Sequence, residues 1–303
     1  MPNSSSSLFL LSFLLLFCAC EHKTPSPTHQ IKEGCEYYSL KSAQCQSLKQ
    51  MTKQLAPYPV IFIGDHHPED DLHQKTALLI QELSNSGFKV HLANEWFCPS
   101  DKKVLTAFTS KDINESEFLN KIEWEKRLKY TSYDSFKPMY EMVKNTKGQL
   151  HGINLSKQER KQISDQNLSA MSTQEQLFYH SLDINVSAHK DLVFPYLSHC
   201  HAPKKNESLK ECSERMYRVQ VAWDSKMALE SYKLSQKLQQ NEKLIVFAGA
   251  MHIDSKLGIP LRFARLSNIP FISILPANEQ TDEIEHNVAD FILFYQNQQK
   301  NKK

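Results

Sequence analysis

From position 60 onward the hydrophobic pattern of the chain switches repeatedly between two periods. "VIFIG" (60–64) is an unbroken apolar run closed by glycine. It leads into "DLHQKTALLIQELSNSG" (71–87), where Leu78, Leu79 and Leu83 recur at helical spacing until Gly87 stops the pattern. "FKVHLANEW" (88–96) predicts a second strand, "SYDSFKPMYEMVKNTKG" (132–148) a helix and "QLHGIN" (149–154) a third strand. Residues 156–208 are polar and weakly periodic, and no element is assigned there. Leu209 to Gln240 contains neither glycine nor proline and predicts one long helix. "KLIVFAGAMH" (243–252), "PFISIL" (270–275) and "ADFILFYQ" (289–296) predict strands, with "GIPLRFARL" (258–266) a short helix between the first two. Apolar strands alternating with helices predict an α/β fold, a mostly parallel sheet with helices on both faces. The expected domain spans 56–297, after a tether and N-terminal extension over 20–55 and before a flexible tail at 298–303.

In such sheets ligands bind beyond the carboxyl ends of the strands, where successive loops converge. Chemistry is concentrated there. "GDHHPEDDLH" (64–73) puts Gly64, Asp65, His66 and His67 past the first strand, and Glu95 and Trp96 follow the second. Asn154 follows the third, and Gly249 with His252 the strand at 243–249. A lone loop histidine is usually just a hydrogen-bonded surface group. Two Gly-x-x-His sequences after separate strands point instead to one crevice where imidazole and carboxylate share a proton or bind a metal.

The N-terminus changes the expected location. "SSSSLFLLSFLLLFCAC" (4–20) has the length of a secretory h-region and is too short to span a bilayer comfortably. Its end, "FCAC", is like a lipobox, so residues 1–19 are expected to be a lipoprotein signal peptide and Cys20 the lipidated residue. A net charge of +2 argues against nucleic acid as a partner. In an oxidising compartment two local disulfides are expected, Cys35 with Cys45 and Cys200 with Cys212, leaving Cys98 unpaired. No CxxC, GxSxG, P-loop, GxGxxG or HExxH sequence occurs.

In order, "IFIGDHH", "LANEWF", "HGIN", "QVAWDSKMA" and "FAGAMHI…GIP" resemble the motifs of the ChaN-like haem-binding lipoproteins of the Tiki superfamily. The resemblance runs from about Val60 to about Ile274. It implies an α/β lipoprotein of the bacterial envelope, facing the periplasm or the surface and held at the outer membrane through Cys20. Haem is the implied cofactor, haem and iron uptake the implied role, and haem-dependent homodimers the implied assembly. Gly64, Asp65, His67, Glu95, Gly249 and His252 are then the implied cofactor-binding positions. Asp65 stands where the family usually has Glu, and Phe136 where it typically has Tyr.

Ferric haem needs an axial donor, an apolar plate and cations for its propionates. Tyr217 and Tyr133 are the tyrosines chosen as candidate donors, with Tyr130 and Tyr140 as competitors. Tyr217 shares a helical stripe with Gln220, Asp224 and Ala228, beside an apolar stripe of Met216, Val219, Trp223 and Met227. The apolar stripe is expected to be core and the polar one a solvated face. Relatives elsewhere in the superfamily include metal-dependent proteases and esterases. The alternative is therefore a hydrolase with His67, Glu95 and His252 as its catalytic or metal-binding cluster.

Overall fold

A computed structural model describes residues 27–67, 69–128, 131–200 and 203–296. The leader, Cys20, Tyr130 and the tail at 298–303 lie outside the described residues.

Among the described residues ten strands and eleven α-helices follow one another. The first strands are β1 (Thr28–Gln30), β2 (Tyr37–Ser39) and β3 (Gln44–Gln46), followed by helix α1 (Leu48–Leu55). Then come β4 (Val60–Asp65), α2 (Asp70–Asn85) and β5 (Lys89–Asn94). Four helices follow: α3 (Lys102–Thr109), α4 (Glu115–Ile122), α5 (Trp124–Arg127) and α6 (Tyr133–Asn145). After β6 (Leu150–Gly152) the chain forms α7 (Lys157–Asp165), α8 (Thr173–His180), α9 (Ser187–Leu197) and α10 (Leu209–Ser235). It closes with β7 (Glu242–Gly249), α11 (Ile259–Leu266), β8 (Phe271–Asn278), β9 (Glu283–Glu285) and β10 (Phe291–Tyr295).

Eight strands form one sheet in the order β3-β2-β10-β8-β4-β7-β5-β6. The six from β10 to β6 are parallel, and β2 and β3 add an antiparallel edge. Strands β4, β7 and β5 have neighbours on both sides and are buried almost throughout, which explains their unbroken apolar sequence. One face packs against α2, α3, α4 and α6 through Leu79, Leu83, Phe108, Phe118, Phe136 and Tyr140. The other packs against α10 and α11 through Met227, Ala228, Ile259 and Phe263. The α/β architecture is the one the sequence predicts.

Two regions go beyond that prediction. The segment expected as tether and extension is folded from Thr28 on, with β2 pairing the C-terminal strand β10 and β1 pairing β9 in a separate two-stranded sheet. The polar stretch 156–208 forms three helices, α7 to α9, packed beside α10. Ser156 and Ser172 start two of them with capping boxes, a local signal that needs no hydrophobic period. Cys35 and Cys45 are bonded with Cα atoms 5.5 Å apart, Cys200 and Cys212 with Cα atoms 5.8 Å apart, and Cys98 is free. No helix among the described residues is long and apolar enough to cross a membrane.

Candidate functional site

Strand register brings the two Gly-x-x-His sequences together. Gly64 lies opposite Ala248, and Asp65 opposite Gly249, across the parallel pair β4–β7. On the far side of β7, Asn94 lies opposite Phe247, so Glu95 leaves β5 beside the same end. Gly64 has no room for a side chain, because a Cβ there would come within 2.9 Å of Leu275 Cδ2 and 2.8 Å of Pro276 Cδ. Gly249 differs: a Cβ would meet Glu95 Oε1 and His252 Cδ2 at 3.6 Å, an ordinary contact. Its missing side chain keeps space open at the carboxylate.

Asp65 is buried and anchors one half of the site. Its Oδ1 accepts from His73 Nε2 at 2.8 Å, and its Oδ2 lies 3.4 Å from His67 Nδ1, off the hydrogen-bonding direction. Ser135 Oγ, 2.8 Å from His73 Nδ1, donates there when Nε2 holds the proton. Burial alone would raise the pKa of Asp65, but contacts with His67 and His73 outweigh it and hold the carboxylate ionised. The contact with Asp65, against the cost of burial, raises the pKa of His67. The His67 side chain is 39% exposed, and its ring meets the edge of Trp96 at 4.6 Å.

The other half is a chain of buried polar groups crossing from α9 to β5. His252 Nδ1 lies 2.5 Å from Asp224 Oδ1 and 3.0 Å from the Gln220 amide, and its Nε2 lies 3.6 Å from Glu95 Oε2. Asp224 Oδ2 lies 3.0 Å from His189 Nε2 and 3.8 Å from Arg262 Nη1. Arg262 Nη2 faces His189 Nδ1 at 3.4 Å, and Tyr217 Oη lies 3.2 Å from the same atom. A guanidinium can only donate, so His189 Nδ1 accepts and the proton sits on Nε2, toward Asp224. Burial works against charge on His252, but Asp224 more than offsets this and raises its pKa. Burial raises the pKa of Glu95, against the opposing pull of His252 and the Gly249 backbone amide. A carboxyl pushed up beside an imidazole pushed up makes a candidate acid–base pair.

Several expected positions take other roles. The stripe expected to be solvated is the buried face of α10, with Asp224 0% and Tyr217 2% exposed. Of the stripe expected to be core, Met227 is buried but Met216, Val219 and Trp223 are only partly so. The neighbouring His252, His189 and Arg262 make the burial of Asp224 tolerable. Tyr217 therefore points its hydroxyl inward, and burial raises its pKa to about 12. Tyr133 also lies in the core, against Trp124 and Tyr140, its pKa raised by burial. Neither offers an open oxygen to an iron. Asn154 braces the site without facing it, its Nδ2 donating to Glu95 O at 3.0 Å. His66 turns toward Tyr295 at 3.1 Å.

The cluster His67, Glu95, His252 does not gather as a metal triad. Among the described residues the one group of three ligand atoms within 4.8 Å of each other is Cys200, Glu207 and Cys212, whose sulfurs are bonded to each other. His252 is also engaged at Nδ1 by Asp224, and His67 lies against Asp65 and the edge of Trp96. The residues the sequence reading missed are His73, His189, Asp224 and Arg262. An acid in a long helix, four residues from Gln220 and two turns from Tyr217 on the same stripe, was the available signal for Asp224.

The structure is similar to that described as cofacial heme binding to ChaN of Campylobacter jejuni, with a TM-score of 0.66 at 22% identity, over 86% of this chain and 96% of that one. An erythromycin esterase mutant in its open conformation aligns with a TM-score of 0.46 at 12% identity over 80% of this chain and 77% of that one, too distant to bear on activity. No curated protein matches. A family described as haem-binding uptake, Tiki superfamily, ChaN, matches residues 51–263, a span that holds both halves of the site. The chain belongs to that family.

Proposed function

We propose that this protein is a haem-binding lipoprotein of a bacterial envelope, tethered through Cys20 and serving haem or iron uptake, with haem pairing two copies. The observation that carries the reading is the match to a family named for haem binding, over the residues that build the whole strand-end site. The chain's own residues limit how haem is held. Asp65 is buried against His73, and Glu95, His252 and Asp224 are buried and engaged with one another, so these groups shape the wall of the site. Iron would supply the bond to an axial donor, and His67 is a strand-end donor that reaches solvent.

Titration of the full-length protein with haemin tests this. A shifted Soret band with saturable stoichiometry is expected, and Tyr217→Phe and Tyr133→Phe should leave the ferric spectrum unchanged. A spectrum transformed by Tyr217→Phe would restore a tyrosinate ligand. Absence of saturable binding would remove the haem reading. The hydrolase alternative keeps one observation in its favour, the acid–base pair of Glu95 and His252 backed by Asp224. Ester or peptide cleavage that vanishes in His252→Ala, in protein that binds no haemin, would replace the proposal.

Tethering has its own test. Two or more acyl chains dominate membrane anchoring, so Cys20→Ser is expected to move the protein from the membrane fraction to the soluble one. Persistence in the membrane fraction would rule out Cys20 as the anchor.

A further inference from the structure

The bond between Cys200 and Cys212 has a carboxylate beside it. One oxygen of Glu207 and the two sulfurs all lie within 4.8 Å of one another. Glu207 is fixed from two sides. Its Oε1 accepts from Arg215 Nε at 2.7 Å, and its Oε2 accepts from Arg215 Nη2 and from the Lys204 backbone amide, both at 2.8 Å. A carboxylate offers about four acceptor positions, so one remains on Oε1. Arg215 Nη2 also faces Cys212 Sγ at 3.4 Å. Glu207 and Arg215 line a surface groove of about 790 Å³ and of mixed charge, which opens beside the buried sulfurs.

Two features favour opening of the bond. Cys200 has a φ of 42°, a left-handed conformation that strains a residue with a Cβ, and strained disulfides are the more easily reduced ones. Cys212 lies in the first turn of α10 and against the Arg215 guanidinium, and both surroundings stabilise a thiolate. A dithiol supplies the two electrons. Its first thiolate attacks Cys200 Sγ, the S–S bond breaks, and Cys212 leaves as the thiolate. Its second thiolate then attacks the mixed disulfide, releasing Cys200 and closing the reagent's own disulfide. Once reduced, two thiolates and one carboxylate carry three negative charges against the single positive charge of Arg215. A divalent cation balances the difference. Thiolates select a zinc-like or iron-like ion over magnesium or calcium.

We propose that reduction converts the Cys200–Cys212 bond into a site for a divalent transition metal, ligated by Cys200, Cys212 and Glu207 with water in the fourth position. Disulfide and metal are then alternative links between the end of α9 and the start of α10, chosen by redox state. The inference does not depend on the haem-binding reading.

Cobalt(II) is the probe, because its bond to thiolate absorbs in the near ultraviolet. Full-length protein is reduced with dithiothreitol, desalted without oxygen and titrated with the metal alone. Saturable thiolate-to-cobalt absorption is expected for the reduced wild type and not for the oxidised protein. The variant Cys200→Ser, Cys212→Ser keeps every other cysteine and should lose the absorption when reduced. The bond is open in both reduced proteins, so a difference between them reports ligation and not folding. Glu207→Gln, which keeps both thiols, is expected to weaken cobalt binding about tenfold or more. Zinc(II) should raise the thermal midpoint of the reduced wild type and leave that of the serine variant unchanged. Absence of the absorption in the reduced wild type would overturn the site, as would equal absorption in the reduced serine variant. Undiminished affinity in Glu207→Gln would overturn the three-donor set. Equal binding by the oxidised protein would overturn the redox gate.

Discussion

Replacing Asp224 with alanine is expected to cost about 3–5 kcal/mol of folding stability, the range for breaking a buried ion pair. Asp224 is the one carboxylate between His252, His189 and Arg262. Without it, the cation at Arg262 loses its carboxylate, and a proton on His252 keeps only Glu95, 3.6 Å from Nε2. Asp224→Asn preserves shape and isolates the charge. Its effect should depend on pH with a definite sign. The folded pKa of His252 is raised, so its stabilising contribution is complete below the unfolded value and is lost as pH rises through the folded value. The folded pKa of Asp224 is lowered, because contacts with His252 and His189 outweigh burial. Its contribution is therefore complete above the unfolded value and lost as pH falls through the folded one. The two overlap between about pH 4 and pH 6.5, bounded by the unfolded values of the two groups. The stability gap between wild type and Asp224→Asn should be widest in that window and should narrow on the alkaline side. Urea midpoints measured across the range would show it; a gap independent of pH would mean that the carboxylate acts through packing alone.

Removing the bond between Cys200 and Cys212 is expected to cost about 3 kcal/mol, from the entropy regained by the opened loop in the unfolded chain. The bond joins the end of α9 to the first turn of α10, next to the hydrogen bond from Ser213 Oγ to Leu197 O at 3.0 Å. Those helices carry His189 and Asp224, so loosening them reaches the polar chain as well as global stability. Thermal midpoints of Cys200→Ser, Cys212→Ser and wild type should differ under oxidising conditions and converge after reduction. Equal midpoints before reduction would mean that the thiols are free, and would also remove one support for an exported location.

The parallel sheet was legible because its central strands are buried on both faces and read as apolar runs without interruption. Gly64, Asp65 and Glu95 were legible as a site for the same reason, since a strand end fixes where the next few residues go. Asp224 was not. Helical period tells which residues share a stripe but not which stripe faces inward, and the usual rule assigns the polar one to water. Here the partners that make burial affordable, His189, His252 and Arg262, come from three other segments. His189 sits in a stretch with no clear period, held by caps and by packing against α10. The donor atoms of His67, Glu95 and His252 are not gathered among the described residues, for a different reason. Sequence places three ligands at neighbouring strand ends, but only side-chain pairing decides whether their donor atoms converge.

The small β1–β9 sheet fixes where the amino end of the folded body emerges. Residue Pro27 accepts a hydrogen bond from His286, and the nearby Val288 carbonyl accepts one from Ser255, three residues past His252. The chain therefore enters at the rim that carries the site and not at the opposite end of the sheet. From Cys20 to Pro27 is seven residues, a reach of at most about 25 Å when fully extended. With an acyl anchor at Cys20, that leash would keep the site's rim in the layer of water adjoining the lipid headgroups. A hydrophobic pigment partitioning into the bilayer would then meet the protein at the membrane surface, with diffusion reduced from three dimensions to two.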